Sequence, residues 1–137
     1  FFQAPPAIRD PLWSRGLGDV YKRQVYEIVK ESQKAGLKAV KPGKTCASVD
    51  DACRKIIEEH SYGPHFIHST GHGIGLDVHE SPNISAKSKE KLKKDMAITV
   101  EPGIYIPKKF GVRIEDSLIV KDRASVMHKF TKDLIVI

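Results

Sequence analysis

His68-Ser-Thr-Gly-His72-Gly-Ile-Gly-Leu-Asp-Val-His79-Glu80 brings three histidines into twelve residues, with glycines at positions 71, 73 and 75. A helix through that run is disfavoured, because each interior glycine costs about 1 kcal/mol against alanine. The segment therefore reads as strand and loop. Glycine lets a chain turn sharply, adopt positive φ and approach a ligand with no Cβ in the way. Imidazole is the commonest protein ligand for transition metals, and carboxylates complete hydrolytic sites. Several imidazoles on so tight a backbone make a candidate metal centre.

Toward the C-terminus, Ala97 to Ile106, Gly111 to Val120 and Ser125 to Phe130 alternate as strands, and Lys132-Asp133 leads into the apolar tail Leu134 to Ile137. Two further clusters lie in these strands, Val100-Glu101-Pro102-Gly103-Ile104-Tyr105 and Gly111-Val112-Arg113-Ile114-Glu115-Asp116. The two-residue period puts Thr99 and Glu101 on one face and Ile98 and Val100 on the other. It likewise separates Arg113 and Glu115 from Val112 and Ile114. A glutamate inside an apolar strand needs a partner, since a buried unpaired carboxylate costs several kcal/mol. A histidine beside glycine is usually a satisfied loop residue, and Arg113 with Glu115 could be a structural ion pair. The three clusters together favour a shared cavity holding metal. His60, His65 and His128 lack such company and receive no role.

Toward the N-terminus, Val25, Ile28, Val29, Ser32, Ala35, Gly36 and Ala39 recur at helical spacing until Lys41-Pro42-Gly43. Val49, Ala52, Cys53, Ile56 and Ile57 form the stripe of a second helix, with Thr45 or Ser48 as its N-cap and Tyr62-Gly63-Pro64 as its stop. Two helices followed by several strands define an α+β class with a mostly antiparallel sheet. Residues Phe1 to Gln24 are punctuated by Pro and Gly, show neither period, and are expected to be irregular. Residues 25–137 form the body of the domain.

The chain has 137 residues, 40% of them hydrophobic and 29% charged, which is ordinary for one globular domain. No apolar run approaches the ~18 residues of a membrane span, and no signal peptide is visible, so the expected location is cytoplasmic with no membrane partner. Cys46 and Cys53, two helical turns apart, read as buried thiols rather than a disulfide or zinc site. The net charge of +6 and the lysines at 87, 89, 91, 93 and 94 lack interleaved aromatics and match no nucleic-acid module, so the cluster reads as a solvated face.

From Val25 to Ile137 the sequence resembles the C-terminal half of the pita-bread metallopeptidases, which include methionine aminopeptidase, aminopeptidase P, prolidase and creatinase. The resemblance implies His72, Glu101 and Glu115 as metal ligands, with Glu115 bridging two ions. It implies His68 and His79 as active-site histidines holding substrate and the developing oxyanion. Arg113 would orient the carboxylates, and Glu101 would shuttle the proton. The implied cofactor is manganese, cobalt or zinc, two ions in the complete family site. Glu101-Pro102-Gly103-Ile104-Tyr105 and Val112-Arg113-Ile114-Glu115-Asp116 are similar to the proline-directed branch, so peptides with proline second are the implied substrates. Self-association as a homodimer is left open.

The family places two aspartate ligands and another histidine upstream of Val25. Asp10 and Asp19 are nine apart with no glycine-rich ribbon around them, so neither inherits a ligand role. At most one ion is then expected, and the chain by itself is expected to be inactive. Trp13 to Gln24 also resembles translated adaptor sequence, so residues 1–24 are read as non-native. Alternatives are creatinase-like or methionine aminopeptidase-like chemistry, or a non-catalytic binding module of the kind that has lost ligands, against which the intact His72, Glu101 and Glu115 argue.

Overall fold

A computed structural model describes residues 15–135. Helix α1 (Arg15–Ala39) and helix α2 (Cys46–Glu59) precede seven strands. These are β1 (Gly71–Gly73), β2 (Glu80–Ile84), β3 (Ala97–Val100), β4 (Gly103–Ile106), β5 (Phe110–Arg113), β6 (Asp116–Val120) and β7 (Ala124–Val126). The sheet order is β2-β1-β3-β6-β7, and every pairing is antiparallel. Strands β4 and β5 form a separate antiparallel ribbon. The α+β class stands as expected.

Helix α1 begins at Arg15, ten residues before the expected start at Val25. Glycine weakens a helix without stopping it, and the stripe continues backward from Val25 through Tyr21. The Tyr21 ring packs edge-on against Phe110 of β5, with centroids 5.5 Å apart. That tertiary contact outweighs the local glycine penalty. The rest of the segment expected to be irregular, residues 1–14, lies outside the described residues. At the other end, Gly43 takes φ +83°, the turn that separates the helices. Thr45 rather than Ser48 caps α2, its side chain accepting from the Ser48 N–H at 3.2 Å.

The long strands expected at 97–106 and 111–120 each divide. Pro102 has no N–H to donate, and the chain leaves the five-stranded sheet there to form β4. The return from β5 to β6 turns through Ile114-Glu115. Both breaks therefore fall beside the carboxylates of interest. Ile98 and Val100 are fully buried on the helix side. Val100 meets α1 at Gly36, while Thr99 and Glu101 face an open cavity.

Gly71 and Gly73 have no positive φ. They serve close approach instead. A Cβ on Gly71 would overlap the Thr99 carbonyl oxygen, and one on Gly73 would overlap that of Ser81. These glycines let β1 sit tightly between β2 and β3, which sets the position of His72.

Both cysteines are free and buried. At the crossing of the helices, the Ser32 hydroxyl donates to the Cys53 carbonyl at 2.8 Å. A Cβ on Gly36 would run into Cys53 Sγ and Val100 Cγ1. Gly36→Ala gains about 1 kcal/mol of helix propensity but overpacks a core where such intrusions cost about 1–3 kcal/mol. Denaturant unfolding is expected to show net destabilisation, relieved in the Gly36→Ala/Cys53→Ala double variant.

Burial pushes the Cys53 thiol up to about 12. The neutral thiol is thus favoured in the folded chain. Its stabilisation is complete below the unfolded value near 9 and is lost as pH rises toward 12. Iodoacetamide at pH 8 should leave Cys53 unlabelled until denaturant is added, as read by peptide mass.

Candidate metal centre

The site begins with a carboxylate in helix α2. Asp50 is fully buried, and Arg54, one turn later, forks onto it with Nε at 2.8 Å from Oδ2 and Nη2 at 3.1 Å from Oδ1. The Thr70 hydroxyl and N–H also donate to Oδ1, at 2.8 and 3.2 Å. Arg54 extends the clamp by donating to the carbonyls of Phe66 at 3.1 Å and His68 at 3.2 Å, and its guanidinium lies 4.1 Å from the Phe66 ring centroid. These bonds hold residues 66–70 on α2, so the chain enters β1 at a defined height. Hydrogen bonding to Asp50 pushes the Arg54 pKa further up.

His72 sits in the middle of β1. Its N–H donates to Thr99 Oγ1 at 3.0 Å, and that hydroxyl donates to Glu101 Oε1 at 2.9 Å. The His72 Nδ1 lies 2.9 Å from the Gly73 carbonyl oxygen. A carbonyl can only accept, so Nδ1 carries the proton. In the neutral ring Nε2 then presents a lone pair, and it faces Glu101 Oε1 at 3.1 Å. Two acceptors this close need a proton or a metal ion between them. The donors are of the kinds that divalent ions take.

Glu101 Oε2 lies 3.9 Å from Arg113 Nε. The Tyr105 phenol beside Arg113, followed by Glu101 and Glu115, holds the guanidinium firmly protonated. Glu115 lines the same cavity of about 620 Å³ as His72, His79, Thr99, Glu101 and Arg113. The expected convergence of three ligands is only partly met. Among the described residues no three His, Cys, Asp or Glu side chains gather closely enough to hold an ion. His72 and Glu101 touch, and Glu115 shares their cavity from an exposed turn after β5. Two carboxylates repel unless positive charge lies between them, and here Arg113 provides it. The donor set fits a divalent ion in kind and is incomplete in number.

The His79 ring lies 4.2 Å from that of His72 and borders the cavity. Leu76 and Val78, on the same rim, are exposed apolar residues. His68 takes a different position. Its Nδ1 is 2.8 Å from the Ser69 carbonyl and its Nε2 is 2.9 Å from the Tyr105 hydroxyl, and it is not among the residues lining the cavity. Asp19 is exposed on α1, away from that lining, and Asp10 lies outside the described residues.

Thr99, Tyr105 and Asp116 received no role from sequence. Thr99 and Tyr105 were visible only as neighbours of Glu101. Asp116 is fully buried, accepts from Gln33 Nε2 at 2.5 Å and pairs with Lys132 Nζ at 2.8 Å. His128, expected to stand alone, has Nε2 3.0 Å from Asp116 Oδ1, a close contact without hydrogen-bond alignment. No local pattern links residues 116 and 128. Their meeting depends on how β6, β7 and the C-terminal segment pack.

Residues 12–122 match metallopeptidase family M24. The chain belongs to that family. It is 51% identical over 104 residues to a Xaa-Pro dipeptidase of Pyrococcus furiosus, covering 76% of this chain and 30% of that protein. The fold matches a Xaa-Pro dipeptidase from Bacillus anthracis with TM-score 0.83 and 46% identity, covering 85% of this chain and 33% of the other. It matches an X-Pro aminopeptidase from Thermotoga maritima with TM-score 0.82 and 39% identity, covering 85% and 34%. The fold is thus that of part of the pita-bread M24 peptidases. The chain spans about a third of the length of these relatives.

The Asp50–Arg54 clamp predicts an asymmetry in this M24 domain. Arg54→Met strands a buried carboxylate and should cost about 3–5 kcal/mol. Asp50→Asn leaves a half-buried guanidinium that water can reach, and should cost less. Urea unfolding of both variants checks the order.

Proposed function

We propose that this chain contributes to a divalent-metal-dependent peptidase that cleaves the bond between an N-terminal residue and proline. The observation that carries the reading is the contact of His72 Nε2 with Glu101 Oε1 at 3.1 Å, two donors placed to share one ion, with Glu115 lining the same cavity. Similarity to proteins named Xaa-Pro dipeptidase and X-Pro aminopeptidase supports the substrate class. His72, Glu101 and Glu115 would hold the ion, with further donors from outside the described residues. When bound, such ions supply Lewis acidity and a water nucleophile at neutral pH.

The chain's own residues then divide the remaining work. Glu101, with Oε1 engaged by Thr99 and Oε2 toward Arg113, takes a proton from the attacking water and returns it to the leaving proline nitrogen. Arg113 keeps Glu101 and Glu115 oriented and offsets their repulsion. His79, exposed on the rim, donates to the scissile carbonyl oxygen as charge develops there. The bond before proline is a tertiary amide with no N–H for the enzyme to bind. Recognition therefore falls on the carbonyl oxygen and on the shape around the proline ring, to which Leu76 and Val78 on the rim can contribute.

In the complete peptidase, His72→Ala or Glu115→Ala is expected to abolish manganese-dependent cleavage of Xaa-Pro peptides. His79→Ala should lower turnover about 10²-fold, as loss of one polarising donor does, with bound metal retained by mass spectrometry. Loss of the metal in His79→Ala would instead make His79 a ligand and overturn the assigned role.

A further inference from the structure

We infer that Thr99 is a positioning residue that joins His72 and Glu101, two donors on different segments, through one hydroxyl. Thr99 is 2% exposed, and its Oγ1 accepts the His72 N–H at 3.0 Å. A hydroxyl has a single proton, and here it goes to Glu101 Oε1 at 2.9 Å. The same Oε1 faces His72 Nε2 at 3.1 Å. The closed path runs from the His72 backbone through Thr99 to the Glu101 carboxylate and back to the His72 ring.

This ring of contacts has two consequences. It selects which carboxylate oxygen meets the imidazole, leaving Oε2 toward Arg113 at 3.9 Å. It also ties the height of β1 to the rotamer of Glu101, so neither donor moves without the other. Threonine suits the task because its branched Cβ restricts χ1, and burial on a strand removes the remaining freedom. Gly71 works in the same direction. The lack of a Cβ there lets β1 lie against the Thr99 carbonyl, which brings the next residue's N–H within reach of Oγ1.

The test compares the full chain with Thr99→Val, which keeps the shape and removes the hydroxyl, and with Thr99→Ser, which keeps the hydroxyl. Amide exchange at His72, followed by NMR without metal, reads the hydrogen bond itself. It should be about tenfold faster in Thr99→Val, as loss of one hydrogen bond implies, and near wild type in Thr99→Ser. Calorimetric titration with manganese reads positioning and rests on the metal reading above. Affinity should fall about 10–100-fold in Thr99→Val and stay within a few-fold in Thr99→Ser. Unchanged exchange in Thr99→Val overturns the inference. Faster exchange with unchanged affinity reduces Thr99 to a structural contact and also overturns it. If the wild-type chain binds no manganese because its donor set is incomplete, the affinity comparison is made in the complete peptidase. Absence of binding there overturns the metal reading, and the exchange comparison still decides whether Thr99 joins the two residues. Should Thr99→Val not fold, Thr99→Ala takes its place in the same comparison.

Discussion

The architecture of the site depends on one buried carboxylate. Asp50 has no access to solvent, so its charge must be met inside the protein. Arg54 meets it from the same helix, and Thr70 meets it from the loop. Because the remaining Arg54 donors bind the carbonyls of Phe66 and His68, neutralising Asp50 also fastens the loop that leads into β1. The position of His72 is thereby referred back to helix α2, even though His72 itself touches neither Asp50 nor Arg54.

A second buried acid stands on the other flank of β3, at the start of β6 opposite Val100. Asp116 draws in Gln33 from α1 and Lys132 from the C-terminal segment. Lys132 also offers its carbonyl to the Tyr26 hydroxyl at 3.2 Å, and Lys30 pairs with Asp133 at 2.9 Å. The segment around Lys132 and Asp133 therefore lies along α1 without regular secondary structure of its own. Asp116 immediately follows Glu115, so this anchor also sets where the cavity-facing turn ends.

Strand β3 divides these demands between its faces. Ile98 and Val100 enter the core, where Gly36 leaves room for Val100. Thr99 and then Glu101 face the cavity, where each polar atom finds a partner. A shift of one residue would exchange the two sets, putting carboxylate in the core and valine in the site. Both the apolar packing and the polar contacts thus enforce a single register.

Much of this was legible in the amino-acid order, because it rests on local periodicity. The helical stripes after Val25, the cap at Thr45, the alternation around Glu101 and the exclusion of helix from the glycine-rich run each follow from neighbours a few residues apart. The grouping of His72 with Glu101 was accessible through the spacing of the three clusters and their resemblance to the pita-bread peptidases. The early start of α1 was not, since it turns on Tyr21 meeting Phe110, 89 positions later in the chain. Nor were the pairing of His68 with Tyr105 and of His128 with Asp116, or the offset of Glu115 from the other two donors. Those are decided where separate segments pack against each other, and no pattern within either segment carries that information. Sequence determined which residues could do chemistry and which face each would occupy, because covalent geometry sets the period of a strand or helix. Tertiary structure decided which of them meet, because distance across the fold depends on how buried charges such as Asp50 and Asp116 are satisfied.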